Sequence, residues 1–158
     1  MKRILVAGIG NIFFGDDAFG VEVSRRLAAR SLPEGVRVVD FGIRGLDLTY
    51  ALLDGWDAAI LVDASPRGRP PGTLYVLEPR ADPDVVPAIE THGMDPEKVL
   101  ALVREMGGTP PVLRVVACEP GPMSEEMEMG LSPEVEAALD PAVALVEDLV
   151  VQLGAAHA

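Results

Sequence analysis

Four side chains in this sequence stand where they could do chemistry: Asp17, Asp40, Asp63 and His92. Each aspartate follows an apolar run, and His92 lies just ahead of Asp95-Pro96, a pair that reads as the start of a helix. Two or three carboxylates with one imidazole suit a borderline divalent ion such as zinc or nickel. Three protein ligands would leave positions open for water or substrate. Spacing alone does not compel that reading. Asp17 also fits as the cap of the helix that follows it, Asp63 as the cap of a turn, and His92 as an exposed loop residue. On the residues by themselves these bland roles are favoured over a metal site.

Other chemistries fit less well. Gly8-Ile9-Gly10 follows a strand, and Asp40 ends the next one, where a ribose-binding acid would sit in a dinucleotide fold. The third glycine of that fingerprint is missing: Phe13 takes its place, and Gly15 is followed by Asp16 and Asp17, which would repel a pyrophosphate. The patterns G-x-S-x-G and H-E-x-x-H are absent, and His92 has no serine or cysteine close by in sequence. His157 belongs to a tail expected to fray. Cys118 ends an apolar run and reads as a buried, inert thiol. Amides of the Gly10-Asn11 turn could donate to a substrate, and a tight strand-to-helix turn accounts for them equally well.

The elements that must position these groups can be traced from apolar periodicity. Residues 3–7 read as a first strand, and Phe19, Val21, Val23 and Leu27 alternate with charged residues as in an amphipathic helix. Residues 36–40 form a second strand, followed by a helix over Leu46 to Leu53 that ends near Gly55. Residues 58–62 form a third strand that stops at Asp63. Loops beyond the carboxyl ends of such strands are where doubly wound sheets bind ligands, so Asp17, Asp40 and Asp63 are expected to converge. The stretch from Pro66 to Gly72 is too short for a crossover helix, which makes residues 73–77 a strand antiparallel to the third. A loop over 79–93 carries His92, residues 112–117 form the last strand, and Ser132-Pro133-Glu134 opens a C-terminal helical region that Pro141 should kink or restart.

The expected fold is therefore α/β, a three-layer sandwich with helices on both faces of a sheet. That sheet has about five strands, mostly parallel with one antiparallel. A chain of 158 residues with 49% hydrophobic content suits one domain spanning 1–158. The net charge of -12 and 13 scattered basic residues argue against nucleic acid. The apolar stretch after Lys2 and Arg3 breaks too early for a signal peptide, and no run approaches membrane-spanning length. One cysteine supports no internal disulfide, so the expected compartment is the cytoplasm.

Taken together the motifs resemble the hydrogenase maturation endopeptidases, which trim the large subunit of nickel-iron hydrogenases. Residues 8–20, Gly-Ile-Gly-Asn-Ile-Phe-Phe-Gly-Asp-Asp-Ala-Phe-Gly, are similar to the family's opening G-x-G-N-x-x-x-x-D-[DE]-x-x-G. Val62-Asp63-Ala64 resembles its third-strand aspartate, and His92 stands where the family has a histidine ahead of a helix. Cys118-Glu119-Pro120 and Gly130-Leu131-Ser132-Pro133-Glu134-Val135 are similar to its closing segment. The likeness runs along almost the whole chain. It departs at Asp17, where some members have glutamate, and after Asp40, where Phe41-Gly-Ile-Arg-Gly45 replaces a Gly-Gly pair and leaves the roles of Asp40 and Arg44 open.

The resemblance implies an endopeptidase that recognises nickel in the precursor of a hydrogenase large subunit and removes its C-terminal extension. It implies that Asp17, Asp63 and His92 contact the metal, with Asp40 a further candidate for catalysis or substrate positioning. The nickel is carried by the substrate, so the enzyme purifies without it, and zinc or cadmium can stand in at the site in vitro. A monomer is expected, with the nickel-loaded precursor as its partner. The alternative readings are a non-catalytic module that checks or docks the nickel-bearing precursor, and, less favoured, a nucleotide-binding module.

Overall fold

A computed structural model describes residues 2–43, 45–80, 84, 95–122 and 126–155. His92, Arg44 and His157 lie outside the described residues. Five strands form one sheet: β1 (Ile4–Ile9), β2 (Val36–Gly42), β3 (Ala58–Ala64), β4 (Leu74–Leu77) and β5 (Val112–Cys118). Their order is β2-β1-β3-β5-β4, with every pair parallel except β4 with β5. β4 does run opposite to β3, but its hydrogen-bonded neighbour is β5. Local sequence could set the strand's direction and not its place, because the β3–β4 connection passes over the position that β5 fills.

The central strands carry apolar residues on both faces, as strands buried on two sides must. Ile4, Val6, Ile60 and Val62 pack on one side against α1 (Phe19–Ala28), α4 (Pro133–Ala137) and α5 (Leu139–Ala155). Leu5, Ala7, Ala59 and Leu61 pack on the other against α2 (Gly45–Leu52) and α3 (Pro96–Glu105). The result is the expected three-layer α/β sandwich. Helix α3 starts as anticipated: Asp95 is its N-cap, the carboxylate accepts from the Glu97 N–H at 3.0 Å, and Pro96 occupies the first turn, where its missing N–H costs nothing. Pro141 lies in the first turn of α5 and marks a restart after α4. Among the described residues no helix is long and apolar enough to cross a membrane.

Two glycines set the geometry at the carboxyl edge. Helix α1 enters so close to the sheet that a Cβ on Gly20 would lie 2.0 Å from the Val62 carbonyl oxygen and 2.3 Å from that of Ile9. Gly10 has φ 147°, open to glycine, and a Cβ there would lie 1.8 Å from the Asp17 carbonyl oxygen. These glycines thus serve backbone packing. Gly20→Ala should destabilise the protein by about 3 kcal/mol or more, because the contacts it meets are backbone and cannot rotate away. Thermal unfolding should show the midpoint falling by roughly 6–12 °C for a chain of this size. An unchanged midpoint would mean that the helix does not seat this closely.

Candidate active site

Strand β1 sends the chain to β2 on one side of the sheet, and β3 then pairs with its other side, so the direction of winding reverses between β1 and β3. That crevice is where an open α/β sheet has room for a ligand. Asp17 lies in the loop after β1 and Asp63 is the penultimate residue of β3, so both stand at its mouth.

Asp17 does not cap α1, as its position in sequence had suggested. It sits in a single 3₁₀ turn, Gly15–Ala18, that precedes the helix; the N-cap is Ala18, which has no side chain to offer. The Asp17 carboxylate turns back instead and accepts the Asn11 N–H at 2.9 Å. Asn11 in turn closes its own loop, its side-chain oxygen accepting from the Phe13 N–H at 2.9 Å. Asp63 is likewise no turn cap. It is still within β3, paired with Ala117 of β5, and the pleat directs it to the same face as Leu61.

The two carboxylates feel each other. Burial pushes the Asp63 carboxyl well above the usual aspartate range, the neighbouring charge of Asp17 pushes it further, and the Ala64 N–H opposes both. Asp17 is raised as well, mainly by burial, with the Asn11 amide pulling the other way. Like charges brought together in a partly buried crevice demand either a shared proton or a cation. Oxygen donors of this kind accept a divalent ion, and two carboxylates leave most of its coordination positions for others. Among the described residues no cluster of three or more metal-binding side chains occurs, so the pair is the part of the expected trio that the structure places.

Asp40 is positioned differently. It lies on the outer strand β2 opposite Gly8, and the alternation that packs Val38 against the α1-side core turns Asp40 to that face, away from the face taken by Asp63. Its carboxylate accepts the Gly42 N–H at 2.8 Å, and it borders a cleft of about 260 Å³ with Asn11, Phe13, Arg25 and Ile43. The three strand-end aspartates therefore do not meet at one point: the crevice gathers two, and Asp40 stands across the first loop from them.

Sequence reasoning missed two buried carboxylates. Asp16 is 7% exposed and Glu119 4%. Glu119 accepts the N–H groups of Arg67 and Arg69 at 2.7 and 3.0 Å, closing the loop after β3 over the end of β5. Nothing local in the sequence distinguishes Asp16 from Asp17; what separates them is a set of partners more than a hundred residues away. Cys118 is buried as expected, and its thiol is pushed up to about 12 by burial and then by the charges of Asp16 and Glu119, which leaves it unreactive.

Raised carboxyl groups make a signed prediction. A folded pKa above the unfolded one adds stability that is fully present at pH below the unfolded value and lost as pH rises through the folded one. At neutral pH the ionised Asp63 is thus a cost that Asp63→Asn removes. The variant should melt a few degrees above the parent near pH 7–8, the gap closing as pH falls to about 4. A midpoint equal to or below the parent's near neutral pH would show that Asp63 is not held against its charge.

Known proteins resemble this chain in sequence and fold. The family model described as hydrogenase maturation protease matches residues 21–149. The hydrogenase 2 maturation protease of Escherichia coli K12 is 35% identical over 148 residues, covering 89% of this chain and 86% of its own length. The hydrogenase expression/formation protein HupD of Rhodobacter capsulatus is 34% identical over 146 residues, 90% of this chain and 69% of its own. Among solved structures, the hydrogenase maturating endopeptidase HybD from E. coli aligns with a TM-score of 0.76 at 34% identity, over 97% of this chain and 94% of its own.

Proposed function

This chain belongs to the hydrogenase maturation protease family, and from that premise we propose that it is a nickel-guided endopeptidase. It recognises nickel held in the precursor of a nickel-iron hydrogenase large subunit and removes the precursor's C-terminal extension. The observation that carries the reading is the Asp17–Asp63 pair: two carboxylates raised by burial, Asp63 further by the charge of Asp17, at the switch-point crevice, a place that a divalent cation would stabilise. His92 supplies the third donor. It lies four residues ahead of Pro96, where α3 begins its run back to the start of β5.

In this reading the metal arrives with the substrate. A precursor loaded with nickel docks its ion against Asp17, Asp63 and His92, and the fixed geometry of the docked ion sets the scissile peptide beside it. Precursor without nickel gains no such anchor and faces two repelling carboxylates instead. Both carboxyls hold protons more readily than a free aspartate, and protons compete with the ion for them, so docking strengthens as pH rises. The nickel itself would polarise the carbonyl or activate water, and Asp40, on the opposite face across the first loop, is left to position the substrate. The partner is thus the nickel-loaded precursor, met by a monomer, and zinc or cadmium serve as substitutes in vitro.

Cleavage of a purified precursor, followed by the mass of its large subunit, tests this reading. The parent protein should shorten the nickel-loaded form and leave the nickel-free form intact. Asp17→Ala and His92→Ala should each lower cleavage by more than about 100-fold, the upper end for losing even an outer-shell partner of a metal site. A loaded precursor that stays intact at stoichiometric enzyme, or variants that cut at the parent's rate, would refute it.

A further inference from the structure

Asp17 shares its 3₁₀ turn with a second carboxylate whose bonds all point elsewhere. Asp16 is buried, and its Oδ1 accepts the Ser132 N–H at 2.7 Å. Its Oδ2 accepts the Gly121 N–H and the Ser132 hydroxyl, both at 2.8 Å. Three donors on one buried carboxylate make a strong, charge-assisted hold. Ser132 stands at the N-cap of α4, where its hydroxyl would ordinarily bond the helix, and it makes no such cap bond. The hydroxyl is given to Asp16 instead. The same turn is fastened again through backbone: the Gly15 N–H donates to the Glu128 carbonyl at 2.6 Å, and the Glu128 N–H to the Phe13 carbonyl at 2.8 Å.

These contacts hold the turn through Gly121, Glu128 and Ser132, while Gly10 and Gly20 let its backbone pack closely on the loop and on strands β1 and β3. In a 3₁₀ turn, with three residues per turn, successive side chains leave about 120° apart. Locking Asp16 to Gly121 and Ser132 therefore fixes the direction in which Asp17 leaves. Its own carboxylate is anchored by the Asn11 N–H.

We propose that Asp16 is a positioning residue: gripped by Gly121 and Ser132, it aims Asp17 at Asp63 and so sets how tightly the pair takes a divalent cation. This rests on the reading of Asp17 and Asp63 as the nickel-contacting pair. The grip also ties the crevice to Gly121 and to the N-cap of α4, although neither Gly121 nor Ser132 belongs to the expected trio. Asp16→Asn puts an amide N–H₂ against a backbone donor and breaks the grip. Ser132→Ala removes one of its three bonds, and Ser132→Thr keeps the hydroxyl.

The test titrates Ni²⁺ alone into the parent and the three variants by calorimetry, with urea midpoints measured beside it and KM and kcat for the nickel-loaded precursor. Asp16→Asn should weaken Ni²⁺ binding about 10- to 100-fold, Ser132→Ala less so, and Ser132→Thr should stay within about twofold of the parent. KM should rise in the same order while kcat holds, since the lost contact is made equally before and during reaction. If Asp16→Asn does not fold, the Ser132→Ala and Ser132→Thr pair decides. Lowered urea midpoints with parental Ni²⁺ affinity and KM would overturn the proposal and leave Asp16 a fold residue only. A parent that neither takes up Ni²⁺ nor cuts the precursor would instead bring down the nickel reading, and this inference with it.

Discussion

The carboxyl edge of this sheet depends on how closely helix α1 approaches strands β1 and β3. Gly20 lets the helix backbone rest against the carbonyls of Ile9 and Val62, and Gly10 lets the loop fold back over Asp17. Any side chain at these places would lift the helix and open the crevice. With the glycines there, the first loop has little freedom, and the 3₁₀ turn that bears Asp17 is pressed toward the end of β3. The nearness of Asp17 to Asp63 is thus a consequence of backbone packing, and the chemistry of the site is a consequence of that nearness.

The arrangement has a cost. Two carboxylates share a crevice that neither would choose on electrostatic grounds, and among the described residues backbone amides answer: Asn11 for Asp17 and Ala64 for Asp63. Those amides offset the burial and repulsion only in part, since both groups stay raised. Groups held against their charge in a cleft are a common mark of functional sites. By contrast Asp16 and Glu119, each buried and each bonded by two or more N–H groups, are satisfied side chains that brace loops. The acidic residues at this edge therefore divide by their partners, not by their type.

Much of this was legible in the chain. Apolar runs located all five strands, and Asp95-Pro96 marked the start of α3, because these signals are local. The family was legible from the spacing of residues 8–20, whose glycines record the close approach of α1. What could not be read were relations across the fold. The neighbour of β4 depends on where β5 inserts, and the face taken by Asp40 depends on strand register. The roles of Asp16 and Asp17 look interchangeable in sequence, and only the distant Gly121 and Ser132 tell them apart. Ser132 itself reads as a helix cap, yet its hydroxyl serves another residue.

The central claim is that Asp17 and Asp63, with His92, complete the coordination of nickel carried by the substrate. Nickel-edge X-ray absorption on the nickel-loaded precursor, alone and in complex with this protein, addresses it directly. The account predicts that complex formation adds oxygen and imidazole nitrogen neighbours to the nickel, and that Asp63→Asn reduces the added oxygen. A nickel coordination shell that is the same with and without the protein would contradict it.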